Sequence, residues 1–387
     1  MTNPIPKDWK RIKLGNLFDI TSSKRVFQSE WTSKGIPFYR AREIVKLSEN
    51  GFVDNELFIS EDMYFRYKDK YGAPQKDDLL ITGVGTVGIL YRVEGDKHFY
   101  FKDGNIIWLK NKNLVYSAFV EQQFKTGVIK KQIFDGNPIT TVATYTIDAA
   151  KKTYINFPPL SEQKRIVAIL EIWDEALENL NRKIAIKKQI KKGLMQKLLT
   201  GKVRLPGFSG EWEAVKLGDV LKIKHGKSQK EVEDSNGKYP ILGTGGEMGR
   251  TNKFLCDKPS VLIGRKGTID KPRYMDSPFW TVDTLFYSEI KNTYFPKFLY
   301  FYFLIINWRE YNEGSGVPSL SASTISNIKI TIPNSKEEQI AIAKILTTAD
   351  DEITALKKKR DILGEQKKYL LNNLIAGKIR TPKNLTI

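Results

Sequence analysis

Two segments of the chain place apolar residues at alternating spacings of three and four. In the first the series is Ile166, Leu170, Trp173, Leu177, Leu180 and Ile184, resuming at Leu194 and Leu198. In the second the same register gives Ile342, Leu346, Ala349, Ile353 and Leu356, then Leu363, Leu370 and Leu374. The spacing predicts two long helices, each with one apolar stripe, and a sustained heptad stripe needs a partner helix to cover it. Lys187 and Lys191 interrupt the first stripe, and Arg360 and Lys367 interrupt the second; polar residues there fix the register if the two helices pair. Pro158-Pro159 and Pro333 precede the segments, Ser161 and Ser335 offer N-caps, and Gly201 and Gly377 suit the position past the last turn. About 40 residues at 1.5 Å each make a rod of roughly 60 Å, long enough for a spacer or a dimerisation arm.

The two segments are copies of one another. At a constant offset of 176, Glu162 to Pro206 aligns without gaps on Glu338 to Pro382, with 17 of 45 positions identical. The identities include Glu162-Gln163, Ile169-Leu170, Lys191-Lys192, Gly201-Lys202, Arg204 and Pro206. A shorter echo joins Trp9, Lys13, Leu14 and Gly15 to Trp212, Lys216, Leu217 and Gly218. The chain therefore reads block, helix, block, helix: a first block over 1–157, a helix segment over 158–204, a second block over 205–332, a second helix segment over 333–380 and a tail over 381–387. Both blocks contain short aromatic and β-branched runs, such as Ile36-Pro37-Phe38-Tyr39, Leu79-Leu80-Ile81 and Asn105-Ile106-Ile107-Trp108-Leu109, punctuated by Gly, Asn and Asp. That pattern predicts an α+β class: two globular mixed α/β domains, each followed by a long helix, with an internal pseudo-two-fold repeat. Lys297 to Asn307 is too long an apolar run for a typical strand and reads as a buried helix.

Composition narrows the chemistry. The 387 residues carry 63 Lys+Arg against 44 Asp+Glu, a net charge of +19, which points to a polyanionic partner. With 41% hydrophobic residues the chain can build real cores, so wholesale disorder is excluded. Cys256 is the only cysteine and His98 and His225 are the only histidines, too few for a zinc site or a His-based triad. A cytoplasmic protein is expected from this cysteine usage and from a first stretch, Met1 to Lys7, without an apolar signal core. The most apolar run, Phe298 to Ile306, is shorter than a membrane span.

Several motifs point to chemistry and do not hold together. Gly83-Val84-Gly85-Thr86-Val87-Gly88 has the form of a dinucleotide-binding loop, yet a strand-like run, Ile89 to Val93, follows it, and the matching stretch has Arg265 and Lys266 in place of glycines. Without a helix N-terminus a phosphate has no cradle, so a tight turn is expected. Gly226-Lys227-Ser228 resembles the end of a P-loop, but Leu221 stands where its first glycine belongs. Asp270 with Glu289-Ile290-Lys291 has the residue order of a Mg-dependent nuclease and leaves that alternative open, together with a non-specific coiled-coil DNA-binding scaffold. No catalytic residue, metal ligand or cofactor site is assigned.

DNA contact is the better-supported chemistry. Basic residues interleaved with hydrogen-bonding side chains recur at four corresponding places in the two blocks, the mixture that holds phosphates and reads base edges. The candidate DNA-binding residues are Lys24, Arg25, Arg40, Arg42, Thr86, Lys102 and Asn105 in the first block. In the second they are Lys227, Gln229, Lys230, Thr244, Arg250, Arg265, Lys266 and Thr268, with Arg265 and Lys266 foremost.

The order Trp9…Lys13-Leu14-Gly15, then Pro158-Pro159-Leu160-Ser161-Glu162-Gln163, then Leu198-Leu199-Thr200-Gly201-Lys202-Val203-Arg204, then Gly210-Glu211-Trp212…Lys216-Leu217-Gly218, resembles the specificity subunit of type I restriction–modification systems. The likeness covers almost the whole chain. It implies a subunit without catalysis of its own, in which two target-recognition domains separated by two long antiparallel coiled-coil helices each read one half of a bipartite double-stranded DNA site. It also implies two partner methyltransferase subunits, which carry S-adenosylmethionine, and restriction subunits that join later. At Thr82-Gly83 the first block departs from the more basic residue expected by comparison with Arg265.

Overall fold

The computed structural model describes residues 5–54, 57–135 and 143–384. The first block contains β1 (Lys10–Lys13), α1 (Leu14–Leu17), β2 (Phe18–Thr21), β3 (Ile36–Tyr39), α2 (Ala41–Asn50), β4 (Phe58–Ile59), α3 (Glu61–Tyr71), β5 (Leu79–Thr82), β6 (Leu90–Arg92), β7 (Tyr100–Phe101), β8 (Ile106–Asn111), α4 (Ser117–Phe124), α5 (Gly127–Asp135), α6 (Ile147–Lys152) and β9 (Tyr154–Phe157). The first long helix, α7 (Leu160–Leu198), follows. The second block contains β10 (Trp212–Lys216), α8 (Leu217–Val220), β11 (Leu221–Lys224), β12 (Tyr239–Gly243), β13 (Gly246–Thr251), β14 (Ser260–Gly264), β15 (Arg273–Met275), β16 (Trp280–Thr281), β17 (Leu285–Ile290), α9 (Pro296–Phe303), α10 (Ala322–Asn327) and β18 (Lys329–Pro333). The second long helix, α11 (Lys336–Ile375), completes the order.

The two blocks fold with one topology. Each has a four-stranded antiparallel sheet, β2-β8-β5-β6 in the first and β11-β17-β14-β15 in the second. Each has a three-stranded sheet, β4-β3-β7 or β13-β12-β16, whose last pair is parallel, and a two-stranded antiparallel ribbon, β1-β9 or β10-β18. Leu79-Leu80-Ile81 and Val261-Leu262-Ile263 are fully buried because each lies in a central strand of its sheet, covered on both faces. The glycines of the shorter repeat have a shared reason. A Cβ on Gly15 would come 3.1 Å from the carbonyl of Lys151 at α6, and one on Gly218 would come 3.1 Å from Ser326 at α10.

The chain divides into two compact units, residues 1–179 with 360–387, and residues 180–359, so each unit takes in part of both long helices. In the first unit Ile166, Val167 and Leu170 of α7 share a core with Leu371, Leu374 and Ile375 of α11, an antiparallel pairing. In the second, Leu198 and Leu199 share a core with Ile342, Ala343 and Leu346. Every position of the two apolar series is buried or half-buried, the most enclosed being Ile166, Leu170, Ile184, Leu198, Ile342, Leu346, Ile353 and Leu374, while Trp173, Leu177, Leu180, Leu356 and Leu363 are half-buried. Three of the four polar interruptions are paired across the helices, while Arg360 pairs with its neighbour Asp361. Lys191 bonds Asp350 at 2.5 Å and Lys187 bonds Glu352 at 2.7 Å in the second unit, while Lys367 bonds Asp174 in the first. Lys191 with Asp350 and Lys367 with Asp174 are the same pair under the 176-residue repeat.

The repeated ends of the helices form a junction that also occurs once in each unit. Glu162 accepts from Arg380 Nε at 2.7 Å, Arg380 Nη2 at 2.8 Å and the Trp9 indole at 3.0 Å. Glu338 accepts from Arg204 Nε at 2.7 Å, Arg204 Nη2 at 2.8 Å and the Trp212 indole at 3.4 Å. The next residue, Gln163 or Gln339, donates to the carbonyl of Pro158 or Pro333 and accepts the backbone N–H of Tyr116 or Phe295, tying the helix start to its block. Ser335 caps α11, its Oγ accepting the Glu338 N–H at 3.2 Å. Ser161 does not cap α7: it lies inside the helix, and Pro159 supplies the carbonyl that takes the first N–H groups. Thr381, the first residue of the C-terminal tail, is buried and accepts from Arg165 at 3.0 Å.

Gly201 and Gly377 sit at φ +68° and +71° past the helix ends. A Cβ on Gly201 would also lie 3.2 Å from the Trp212 ring. Gly201→Ala is therefore expected to lower stability by about 1–2 kcal/mol through left-handed strain and the displaced indole. Urea unfolding of the variant beside the parent measures it.

Candidate nucleic-acid interface

At one end of each four-stranded sheet the loops converge. In the first unit the Ser22 and Ser23 hydroxyls donate to the carbonyls of Ile106 and Phe101 at 2.8 and 2.7 Å, which ties the β2–β3 loop to the β7–β8 turn. Lys102 N–H donates to Tyr39, Gly83 N–H to Asn105, and Tyr145 N–H to Gly83, each at 2.8 Å. In the second unit the same bonds recur with different residues. Val282 N–H donates to Leu242 at 3.0 Å, Arg265 N–H to Thr284 at 2.8 Å and Leu320 N–H to Arg265 at 2.9 Å; Lys227 N–H reaches Thr281 where Ser23 Oγ reaches Phe101, and Gly267 N–H donates to Pro318 at 2.8 Å in addition. The four clusters read from sequence thus become neighbouring loops of one edge in each unit, joined in the second unit by a fifth segment, Glu313 to Ser321.

That fifth segment was not marked by charge. Its signal is the turn-forming run Gly314-Ser315-Gly316-Val317-Pro318-Ser319, in which Val317 is 64% exposed. In the first block Thr144 bridges Val84 as Ser319 bridges Lys266 in the second.

The candidate side chains differ in what the loops let them do. Arg265 is half-buried, reaching the Asp283 carbonyl through one Nη at 3.3 Å, and Lys266 is exposed beside it. Both line a cavity of about 420 Å³ with His225, Glu313, Ser319 and Ser321. Thr268 is half-buried in the same turn, and Thr244 sits in the β12–β13 turn, its carbonyl accepting from Arg273 at 2.8 Å. Lys227 and Lys230 are exposed on the β11–β12 loop; the Gln229 carbonyl there takes the N–H of Val232 and Glu233, closing a turn. Arg250 is committed to structure: it donates to the carbonyls of Gly237 and Lys238, both at 2.8 Å, and to Glu247 at 3.0 Å, pinning β13 to the preceding loop.

In the first unit Lys24 is exposed above the Tyr71 ring, and Arg25 pairs with Asp103 at 2.9 Å. Lys102 and Asn105 are half-buried in the β7–β8 turn, and Thr86 is exposed at the tip of the β5–β6 turn. That turn places Gly85 and Gly88 at φ +79° and +83° and returns as a strand, so the glycine run is a hairpin and no phosphate-binding helix follows. Arg40 and Arg42 both donate to the buried carboxylate of Glu43. Burial pushes the Glu43 pKa up, but the bonds from Arg40 and Arg42 outweigh it and hold the carboxyl below its ordinary range.

The nuclease order does not assemble. Asp270 pairs with Arg309 at 2.8 Å, whereas Glu289 pairs with Lys224 at 3.2 Å and lines a separate groove with Lys291. Among the described residues no three His, Cys, Asp or Glu side chains group as metal ligands, and no helix is long and apolar enough to cross a membrane.

The model of the family described as the type I restriction modification DNA specificity domain matches residues 6–188 and, a second time, 209–363. The chain belongs to this family. A putative type I restriction enzyme MjaX specificity subunit from Methanocaldococcus jannaschii is 27% identical over 97% of this chain and 95% of its own length. The type I restriction enzyme MjaVIII specificity subunit of the same organism is 26% identical over 98% and 95%. The crystal structure of a type I restriction–modification S subunit from M. genitalium shares the fold, with a TM-score of 0.62 at 21% identity over 97% of both chains. The two matches of the specificity-domain model correspond to the two blocks, each with the helix that follows it, and the converging loops of each block form the candidate reading edge of one specificity domain.

Proposed function

We propose that the chain is the sequence-specific DNA-recognition subunit of a type I restriction–modification complex, each domain reading one half of a bipartite duplex target. The observation that carries this is the duplicated reading edge: one loop framework, held by equivalent backbone bonds, presents different side chains in the two units, as two unlike half-sites require. Lys and Arg hold phosphates and side chains at base edges discriminate. A bipartite target of this kind has an unread gap between its two half-sites.

Catalysis belongs to partners: methyltransferase subunits that bring S-adenosylmethionine, and restriction subunits. Their docking surface includes the outer faces of the long helices, where Ile172 and Ile186, and Ile362 and Tyr369, stand exposed at heptad multiples. Co-expression with the methyltransferase subunits, followed by single-molecule sequencing of modified adenines, tests the proposal. It predicts a two-part motif with a constant gap; one short contiguous motif overturns it.

A further inference from the structure

The two reading edges place their cations on different loops, and the backbone says why. Gly83 and Arg265 hold equivalent positions, each donating to the β7–β8 or β16–β17 turn and accepting from Tyr145 or Leu320. A Cβ on Gly83 would lie 2.6 Å from the Tyr145 carbonyl, so no side chain fits in the first domain where Arg265 projects in the second. The first domain instead carries Arg40 and Arg42 at the end of β3, where the second has Thr244 between two glycines.

These arginines are held by an unusually costly group. Glu43 has a side chain only 5% exposed, and its two oxygens accept four bonds. They come from Arg40 N–H at 2.9 Å, Arg40 Nε at 3.1 Å, Arg40 Nη2 at 3.0 Å and Arg42 Nε. Capping α2 needs only the first of these, and an uncharged glutamine at that position accepts it without a buried charge. The remaining bonds fix two flexible side chains. Arg40 turns its Nε–Nη2 edge to Glu43, and its Nη1 makes no hydrogen bond among the described residues.

We propose that Glu43 is a positioning residue for base recognition: it locks Arg40 and Arg42 as a rigid guanidinium pair for the major-groove edge of a guanine in the half-site of the first domain. The inference rests on the two-domain reading above. The outward edge of a fixed guanidinium matches guanine O6 and N7, and restraining it in advance removes rotamer entropy otherwise lost on binding. Lysine in place of Arg40 keeps the charge and loses the fork.

The test uses the full chain assembled with its methyltransferase subunits, and duplexes in which each base pair of both mapped half-sites is changed in turn. Glu43→Gln is expected to reduce discrimination at one G·C pair of one half-site by tenfold or more, with discrimination in the other half and the salt dependence unchanged. Arg40→Lys is expected to lose discrimination at that same pair, and adding Glu43→Gln to it to cause no further loss. Full discrimination in Arg40→Lys overturns the proposal, whether or not Glu43→Gln folds, and so does a Glu43→Gln variant that discriminates like the parent. If Arg265→Ala alters one half-site while neither first-domain variant alters the other, this inference fails and the two-domain reading stands. If all the variants affect both halves alike, the two-domain reading fails.

Discussion

Arg380→Met is expected to destabilise the first unit by about 3 kcal/mol, because it leaves the Glu162 carboxylate buried with the Trp9 indole as its remaining donor. The Glu162 side chain is 3% exposed, so water does not replace the lost guanidinium. The loss exceeds what a surface ion pair contributes, since the dominant effect is an orphaned charge. Glu162→Gln added to Arg380→Met is expected to recover part of the loss by removing that charge. Arg204→Met is expected to act equivalently on the second unit through Glu338, whose side chain is 2% exposed. Denaturant unfolding with hydrogen exchange resolved by segment measures both; loss confined to the unit carrying the substitution is the expected result. The pH dependence has a definite sign. Burial raises the Glu162 pKa, but bonds from Arg380 and Trp9 bring it below the ordinary glutamate value of 4.5. Its contribution is therefore fully present above pH 4.5 and is lost as pH falls through the lower folded-state value.

Arg265→Ala is expected to weaken discrimination in one half-site ten- to hundredfold, the loss of one good bidentate base contact at about 1–3 kcal/mol. The other half-site is expected to be read as before. Arg265 stands at the mouth of the second domain's cavity with its backbone held on both sides, so the substitution removes a side chain without moving the loop. Lys266→Ala, by contrast, is expected to weaken all sequences alike and to reduce the salt slope by about one phosphate. Binding measured across salt concentrations on duplexes altered in one half at a time separates the two effects. Equal loss in both halves for Arg265→Ala contradicts the assignment of one domain to one half.

The long helices and their register were legible in the sequence because a heptad stripe and a 176-residue repeat are local, periodic signals. Lys191 and Lys367 were recognisable as interruptions, and their partners Asp350 and Asp174 turned out to repeat with them. The purpose of the repeated Glu, Arg and Trp residues was not legible. Glu162 meets Trp9 across 153 residues and Arg380 across 218, separations that no local pattern encodes. The positions of the reading loops were legible as recurring basic clusters, yet the fate of individual side chains was not. Arg250 looks like Arg265 in sequence, and only the backbone carbonyls of Gly237 and Lys238 commit it to structure. The segment from Glu313 to Ser321 lacked the charge that drew notice elsewhere, and Ser161 lost its capping role because the helix begins one residue before it.

The most direct measurement is a domain replacement. Residues 207–332 are exchanged for the corresponding block of a family member with a different target, and modified adenines are mapped in cells that also express the methyltransferase subunits. One half of the bipartite motif is expected to change to that of the donor, with the other half and the gap length intact. A motif altered in both halves, or unaltered, contradicts the assignment of one domain to one half-site.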